Sequence, residues 1–159
     1  MNYSIGLQMT LPLPEITAML SQSRIHVGAF GEVVIAQGLQ RSGYRVDVSH
    51  EIGRGDLTVI DEHGQRTYIE VKTAKRGKKD GAYRFTLYKF WEGTVRADYH
   101  GADFVVLLAV GRSGFGVPFV VPVADLGERQ SLTITSAPSK YQGWLAPYRQ
   151  TLNKLKLPA

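Results

Sequence analysis

The sequence of 159 residues contains no cysteine. Disulfide bonds, thiolate zinc sites and cysteine nucleophiles are therefore excluded, and the composition suits a reducing cytosol. No apolar run approaches the length of a membrane-spanning helix. Residues 1–20 lack the basic cluster followed by an apolar stretch that marks a secretory signal. The sequence alone thus predicts a cytoplasmic protein with no membrane partner.

The length predicts a single domain over residues 1–159. Hydrophobic residues make up 43% of the chain and charged residues 21%, both ordinary for a globular protein. Lys and Arg number 19 against 14 Asp and Glu, which gives a net charge of +5. This excess permits a polyanionic partner such as nucleic acid, although many basic proteins bind none.

Hydrophobic periodicity predicts helices before the first strands. A short helix is expected at residues 15–23 and a stronger one at 27–41, where Gly43 is placed to end it in a left-handed cap. Alternating apolar residues then predict a strand at 44–48. Two further strands, at 57–60 and 67–73, are separated by a polar turn and are expected to form a hairpin; a fourth strand is possible at 83–87.

The second half of the chain contains the longest apolar strand signal, Phe104–Val110, which is expected to be buried on both faces. The segment from residue 88 to about residue 99 is ambiguous between helix and loop. A strand is expected at 117–123, and apolar residues at helical spacing predict a C-terminal helix at about 141–155. The element order indicates an α/β or α+β domain with a mixed sheet flanked by helices.

Three charged residues are predicted to meet on the hairpin. In a strand alternate side chains share a face, so Glu70 and Lys72 lie side by side while Ile69 and Val71 point into the core. Asp56 begins the partner strand, and the hairpin brings it towards Glu70. The alternative is an ordinary solvent-exposed strand face, on which Glu and Lys at alternate positions are common.

Two neighbouring carboxylates repel each other unless a positive charge lies between them. Mg²⁺ suits such a position, because it binds hard oxygen ligands and keeps several waters. A bound metal lowers the pKa of its water and stabilises charge in the transition state, and a nearby lysine can orient that water or neutralise developing charge. The cluster is therefore a candidate hydrolytic site.

Glu32 is a fourth candidate. On its helix it shares a face with Ile35, Ala36 and Leu39, which are expected to pack on the sheet. A carboxylate on an inward face is costly unless it is paired or close to a metal. The alternative is that Glu32 lies at the edge of the face and reaches water or an arginine.

These residues resemble the pattern of the PD-(D/E)XK nuclease superfamily, which includes restriction enzymes, archaeal-type Holliday junction resolvases and intron-encoded homing endonucleases. The matching positions are Gly31-Glu32, Asp56 and Glu70-Val71-Lys72, within a core of about residues 24–126. Gly55 stands where the family usually has proline. The resemblance implies a restriction-endonuclease-like mixed sheet.

The resemblance also implies roles. Asp56 and Glu70 would ligate the metal directly, the Val71 backbone carbonyl would complete the coordination, and Glu32 would support the metal through water. Lys72 would act on the attacking water. The expected cofactor is Mg²⁺, for which Mn²⁺ would substitute.

A group of basic residues follows the predicted site: Lys75, Arg76, Lys78, Lys79 and Arg84. They are predicted to contact DNA phosphates. A merely solvated basic loop is the alternative.

The sequence thus predicts a Mg²⁺-dependent endonuclease that hydrolyses DNA phosphodiester bonds by attack of a metal-activated water. Since a small nuclease that cuts two strands usually acts as a symmetric oligomer, we expect a homodimer. Two alternatives stay open: a non-catalytic nucleic-acid-binding module, and an interaction subunit of a larger nuclease or defence assembly.

Overall fold

A computed structural model gives the fold of the protein and describes residues 24–48, 54–91, 94–97, 99, 101–111 and 116–158. The helix predicted for residues 15–23 lies outside the described residues. Among those described, no helix is long and apolar enough to cross a membrane.

Helix α1 spans Arg24–Arg41 and buries one face against a β-sheet. Ile35 and Leu39 lie at helical spacing on that face and are almost completely buried. The helix ends in the predicted left-handed cap, in which Gly43 has φ +95°. The N–H groups of Gly43 and of the following residue donate to carbonyls of the last turn at 3.0 and 3.2 Å, which is the Schellman pattern.

The strands found in the described residues follow α1 along the chain, together with a one-turn helix, Val123–Leu126, between β8 and β9. Their bounds are β1 Arg45–Val48, β2 Leu57–Ile60, β3 Arg66–Lys75, β4 Tyr83–Thr86, β5 Tyr88–Trp91, β6 Thr94–Ala97, β7 Phe104–Val110, β8 Gly116–Pro122 and β9 Ser131–Ile134.

The central sheet has the strand order β1-β2-β3-β7-β8. β3 pairs antiparallel with β2 and parallel with β7, while the two outer pairs are antiparallel. The predicted β2–β3 hairpin and the mixed sheet are confirmed. Two smaller pairs, β4 with β9 and β5 with β6, lie outside this sheet. The ambiguous segment after residue 87 therefore contains a strand hairpin.

Both faces of the central sheet are covered. One cluster of buried side chains lies between the sheet and α1, and a second includes residues of β4, β9 and the C-terminal segment. β7 contributes alternately to both, with Val106 and Leu108 in the first and Val105 and Leu107 in the second. The expectation that β7 is buried on both faces is confirmed.

The helix predicted for residues 141–155 is wrong. Pro147 has no N–H to donate, and its ring is incompatible with the interior of an α-helix. The apolar side chains of this segment also separate, because Leu145 packs in the second cluster and Leu155 in the first. The C-terminal segment instead contains three one-turn 3₁₀ helices: Pro138–Lys140, Ala146–Tyr148 and Leu152–Lys154.

Candidate active site

Asp56 is fixed at the point where β2 begins to pair with β3. Its backbone N–H donates to the Ile69 carbonyl at 2.8 Å. Its carboxylate oxygen Oδ2 accepts a hydrogen bond from the Val71 N–H, also at 2.8 Å. The carboxylate thus continues the hydrogen-bond ladder at the end of β2, and the side chain is held next to β3.

The glycine before Asp56 is required by this geometry. Gly55 has φ +86°, and a Cβ at this position would lie 2.6 Å from the Ile69 carbonyl oxygen. Proline is restricted to φ near −65°, so it cannot occupy this backbone conformation. The glycine at position 55 therefore has a local structural reason.

The backbone carbonyl of Val71 lies on the same side of β3 as Asp56. The N–H and C=O of one strand residue point to the same neighbouring strand, and the Val71 N–H points to the Asp56 carboxylate. The Val71 carbonyl oxygen is therefore directed towards the end of β2, as a ligand beside Asp56 requires.

Glu70 and Lys72 form an ion pair in which Glu70 is buried and Lys72 is partly buried. Ile69 and Val71 pack in the cluster beneath α1, so the alternation of the strand places Glu70 and Lys72 on the opposite face, as predicted. Lys72 Nζ lies 2.8 Å from Glu70 Oε1, and the side chains are only 18% and 7% exposed. The desolvation cost of burying charges can exceed the attraction between them, so such a pair is weak evidence for stability.

Glu32 lies close enough to the hairpin to be affected by its charges, although it approaches from the helix side of the sheet. Burial, and then the negative charge of Asp56, raise the pKa of Glu32 to about 7, while Lys72 acts in the opposite direction. The helix and the hairpin therefore bring Glu32, Asp56 and Lys72 close enough for their charges to interact.

We expect the raised pKa of Glu32 to give the metal-free protein a pH-dependent stability. The carboxyl ionises near pH 4.5 in the unfolded chain and near pH 7 in the folded one. The contribution of Glu32 to the free energy of unfolding should therefore be largest below pH 4.5. It should fall as the pH rises to about 7 and stay constant at higher pH.

Glu32→Gln should remove this fall, which we expect to be about 1–2 kcal/mol after allowance for partial solvent screening. Urea denaturation in EDTA at pH 5 and pH 8 measures it for both proteins. Identical pH dependence in the wild type and the variant would contradict the assigned environment of Glu32.

Glu32 is positioned by a close approach of α1 to β3. A Cβ at the preceding residue, Gly31, would lie 1.7 Å from Thr73 Oγ1 and 3.0 Å from Thr73 Cβ. Thr73 follows Lys72 on β3, and its buried hydroxyl has no hydrogen-bond partner among the described residues. The absence of a side chain at Gly31 therefore sets the distance between the helix that carries Glu32 and the strand that carries Lys72.

Gly31→Ala is expected to destabilise the protein by about 1–3 kcal/mol, because the added methyl group forces the helix away from Thr73. Gly28→Ala on the same helix is the matched control, since a Cβ there meets nothing within 4 Å; it should be neutral or stabilising. Chemical denaturation compares the two. Equal stabilities for both variants would contradict the close approach.

The donor groups fit a divalent cation. Mg²⁺ is commonly held by one or two carboxylates while its other positions are taken by waters and substrate phosphate, and Asp56, Glu70 and the Val71 carbonyl provide such a set. Among the described residues, no group of three or more His, Cys, Asp or Glu side chains is arranged to hold a metal ion.

Comparison with known proteins is informative about the fold. No family model matches the sequence, and no curated protein matches it. Among solved structures, the chain is similar to the bacterial homing endonuclease I-Ssp6803I, with a TM-score of 0.60 and 18% sequence identity over 80% of this chain and 88% of that chain. The two chains share a fold. The predicted restriction-endonuclease-like architecture is thereby confirmed.

The basic loop that follows the site connects β3 to β4. Lys75, Arg76, Lys78 and Lys79 lie at or close to the surface. Arg84 differs, because its guanidinium forms an ion pair with Asp80 and lowers the pKa of that carboxyl to about 2. Arg84 thus stabilises the connection between β3 and β4, while the other four side chains form the positive surface. For all five residues, contact with DNA stays a prediction.

Sequence reasoning missed one pair of residues near the site. The guanidinium carbon of Arg54 lies 4.9 Å from the centroid of the Tyr68 ring. Tyr68 precedes Glu70 by two residues on β3, and Arg54 precedes Asp56 by two. The strand alternation alone would have placed Tyr68 on the face of Glu70, but the stacking of Arg54 depends on the fold of the turn before β2.

Proposed function

We propose that this chain is a metal-dependent DNA endonuclease of the PD-(D/E)XK type. The observation that carries the proposal is the Glu70–Lys72 ion pair beside Asp56, whose carboxylate is held by the Val71 N–H. The shared fold with a bacterial homing endonuclease supports DNA as the substrate. Net positive charge and a basic loop at the surface support a polyanionic substrate independently.

In this proposal the charged residues have different roles in phosphodiester hydrolysis. Asp56, Glu70 and the Val71 carbonyl would hold Mg²⁺, or Mn²⁺ in its place, and Glu32 would support it through water. When bound, the cation supplies a lowered pKa for water and positive charge for the transition state. Lys72 orients the attacking water and neutralises negative charge that develops on the phosphoryl oxygens.

A substrate panel tests the proposal. Labelled branched, linear duplex and single-stranded DNA are incubated with the protein in Mg²⁺ and in EDTA, and binding to each is measured in parallel. Mg²⁺-dependent cleavage of any member supports the endonuclease. Binding without cleavage would instead indicate a non-catalytic DNA-binding module, and neither binding nor cleavage would indicate an interaction subunit.

The proposal extends to the assembly. A small single-domain nuclease that cuts both strands, or a junction, usually acts as a symmetric oligomer. We therefore propose a homodimer; sedimentation equilibrium of the purified protein at micromolar concentration should give twice the monomer mass of 17.6 kDa.

The basic loop should determine much of the salt dependence of DNA binding. Changing Lys75, Lys78 and Lys79 to Ala is expected to reduce the slope of log K against log salt by about 3, since each phosphate that a lysine neutralises adds about 0.9. Changing Lys140, Lys154 and Lys156, which are exposed in the C-terminal segment, removes the same net charge and serves as the control. Equal slopes for the two triple variants would show that the loop is only solvated.

A further inference from the structure

We propose that Arg54, stacked on Tyr68, forms a phosphate-binding subsite for the DNA strand that is cut, within about two nucleotides of the scissile phosphate. The inference rests on the proposed endonuclease function and adds to it a contact that positions the strand. Its starting point is the distance of 4.9 Å between the Arg54 guanidinium carbon and the centroid of the Tyr68 ring.

The register of the sheet places this pair beside the candidate active site. Leu57 pairs with Ile69, so Asp56 precedes β2 opposite Glu70, and Tyr68, Glu70 and Lys72 follow one another on one face of β3. With a rise of about 3.3 Å per residue, Tyr68 lies about 7 Å along the strand from Glu70. Successive phosphates of one DNA strand advance about 3.4 Å along the helix axis, which gives the stated spacing of up to two nucleotides.

Positive charge therefore lies on both sides of the carboxylates. The basic loop begins at Lys75, the last residue of β3 and about 10 Å beyond Lys72. Arg54 lies towards the other end of the same strand. A DNA strand that crosses the site along β3 would meet cationic side chains before and after the scissile phosphate. Arg54 and the basic loop together would align that strand with β3.

The backbone that carries the Tyr68 ring is held in place by Asp103. The Tyr68 N–H donates to Asp103 Oδ2 at 2.8 Å, and the Asp103 N–H donates to the Tyr68 carbonyl at 2.8 Å, so both backbone groups of Tyr68 are held by one residue. Arg54 itself is exposed and Tyr68 is half-buried. The Arg54 guanidinium carbon lies over the ring, so the contact limits the positions that the exposed side chain can take.

This arrangement has the chemistry of phosphate recognition. A guanidinium is planar, always charged and able to bind two phosphate oxygens at once, and it stacks on aromatic rings in a way that an ammonium does not. Stacking restricts the side chain before DNA binds, so less conformational freedom is lost on binding. The Arg54–Tyr68 pair is therefore suited to bind a phosphodiester group, which offers two oxygens to the guanidinium.

DNA binding in EDTA tests the subsite without cleavage. Arg54→Ala is expected to weaken binding roughly tenfold, the loss of one charged hydrogen-bonded contact, and to reduce the salt slope by about 1. Arg45→Ala is the matched control, because Arg45 is also exposed and lies at the far edge of the sheet on β1. Tyr68→Phe should bind as the wild type does, and Tyr68→Leu should show part of the Arg54→Ala loss.

A scan of single phosphates identifies the partner of Arg54. Each phosphate around the cleavage position is replaced in turn by a neutral methylphosphonate. The wild type should lose affinity at several positions, and Arg54→Ala should lose its sensitivity at one position within two nucleotides of the cut and keep the others. Arg54→Gln, which keeps the aliphatic stem, repeats the measurement if the alanine variant fails to fold.

The outcomes separate the two proposals. If the wild type cleaves DNA but Arg54→Ala and Arg54→Gln keep the wild-type slope and the full phosphate pattern, the subsite is overturned and Arg54 only secures the turn before β2. If the wild type neither binds nor cleaves DNA, the proposed function is overturned, and the subsite with it.

Discussion

Lys72→Ala is expected to lower the single-turnover rate of DNA cleavage at least about a hundredfold, the lower range for loss of one group that stabilises charge in a transition state. The reason is the position of Lys72 Nζ, 2.8 Å from the Glu70 carboxylate on the face where the substrate phosphate would bind. DNA affinity should fall much less, since one contact among several contributes a small share of binding. Rapid-quench kinetics with enzyme in excess measures the rate.

Stability provides the control for this variant. The sequence alone suggests that loss of Lys72 leaves stability unchanged or higher, because no hydrophobic cavity is created. The ion pair with Glu70 reverses that expectation, since removal of Lys72 takes the positive charge away from a buried carboxylate, which costs up to about 3 kcal/mol. Lys72→Met/Glu70→Gln replaces the pair by two neutral groups and should restore stability without restoring cleavage. Cleavage by Lys72→Ala at the wild-type rate would show that Lys72 is not catalytic.

The second large effect is expected on metal binding. Asp56→Asn/Glu70→Gln should abolish Mn²⁺ binding measured by calorimetry, and with it DNA cleavage, because the two carboxylates are the only charged oxygen ligands in the proposed coordination set. The amide oxygen of Asn can still accept the Val71 N–H that Asp56 accepts. The hydrogen bond at the end of β2 is therefore kept. Because Glu70→Gln also breaks the ion pair with Lys72, circular dichroism and thermal denaturation should show that the variant is folded under the conditions of the calorimetry.

A double variant with the same change of charge serves as the control for metal binding. Asp47→Asn/Glu62→Gln removes two exposed carboxylates, whose side chains are 43% and 86% accessible. It should bind Mn²⁺ as the wild type does. Equal binding by the wild type and by Asp56→Asn/Glu70→Gln would place the metal elsewhere.

The sequence predicted the parts of the fold that depend on local pattern. The alternation in β3 determined which face carries Glu70 and Lys72, and the apolar run of β7 indicated burial on both sides. The hairpin follows from the polar turn between β2 and β3, and Gly43 ends α1 where a left-handed cap was expected. Each of these depends on residues that are close in sequence.

The wrong prediction of a C-terminal helix has a different cause. The apolar spacing at residues 141–155 was compatible with a helix face, but Leu145 and Leu155 pack on opposite sides of the sheet, and only the tertiary structure determines that. The pairing of Arg84 with Asp80 across the β3–β4 connection likewise depends on the tertiary structure, and the contact of Arg84 with DNA stays a prediction. A basic residue near a site is not informative until its acidic neighbours are located.

The candidate site could be predicted from the sequence only in part. Asp56, Glu70 and Lys72 lie on one hairpin, so strand geometry was sufficient to place them together. The environment of Glu32 required the packing of α1 on β3, because the close approach of Gly31 to Thr73 sets how near the helix comes. The stack of Arg54 on Tyr68 required the backbone path of the turn before β2, which no pattern in the sequence specifies.

The most direct test of a metal-dependent nuclease built on this hairpin is single-turnover cleavage of the best substrate of the panel by the wild type and by Glu70→Gln, each in Mg²⁺ and in EDTA. We predict cleavage by the wild type in Mg²⁺ alone, with a rate at least about a hundredfold lower in the other three reactions. Cleavage by the wild type at the same rate in EDTA, or by Glu70→Gln at the wild-type rate in Mg²⁺, would contradict a metal-dependent site at Glu70.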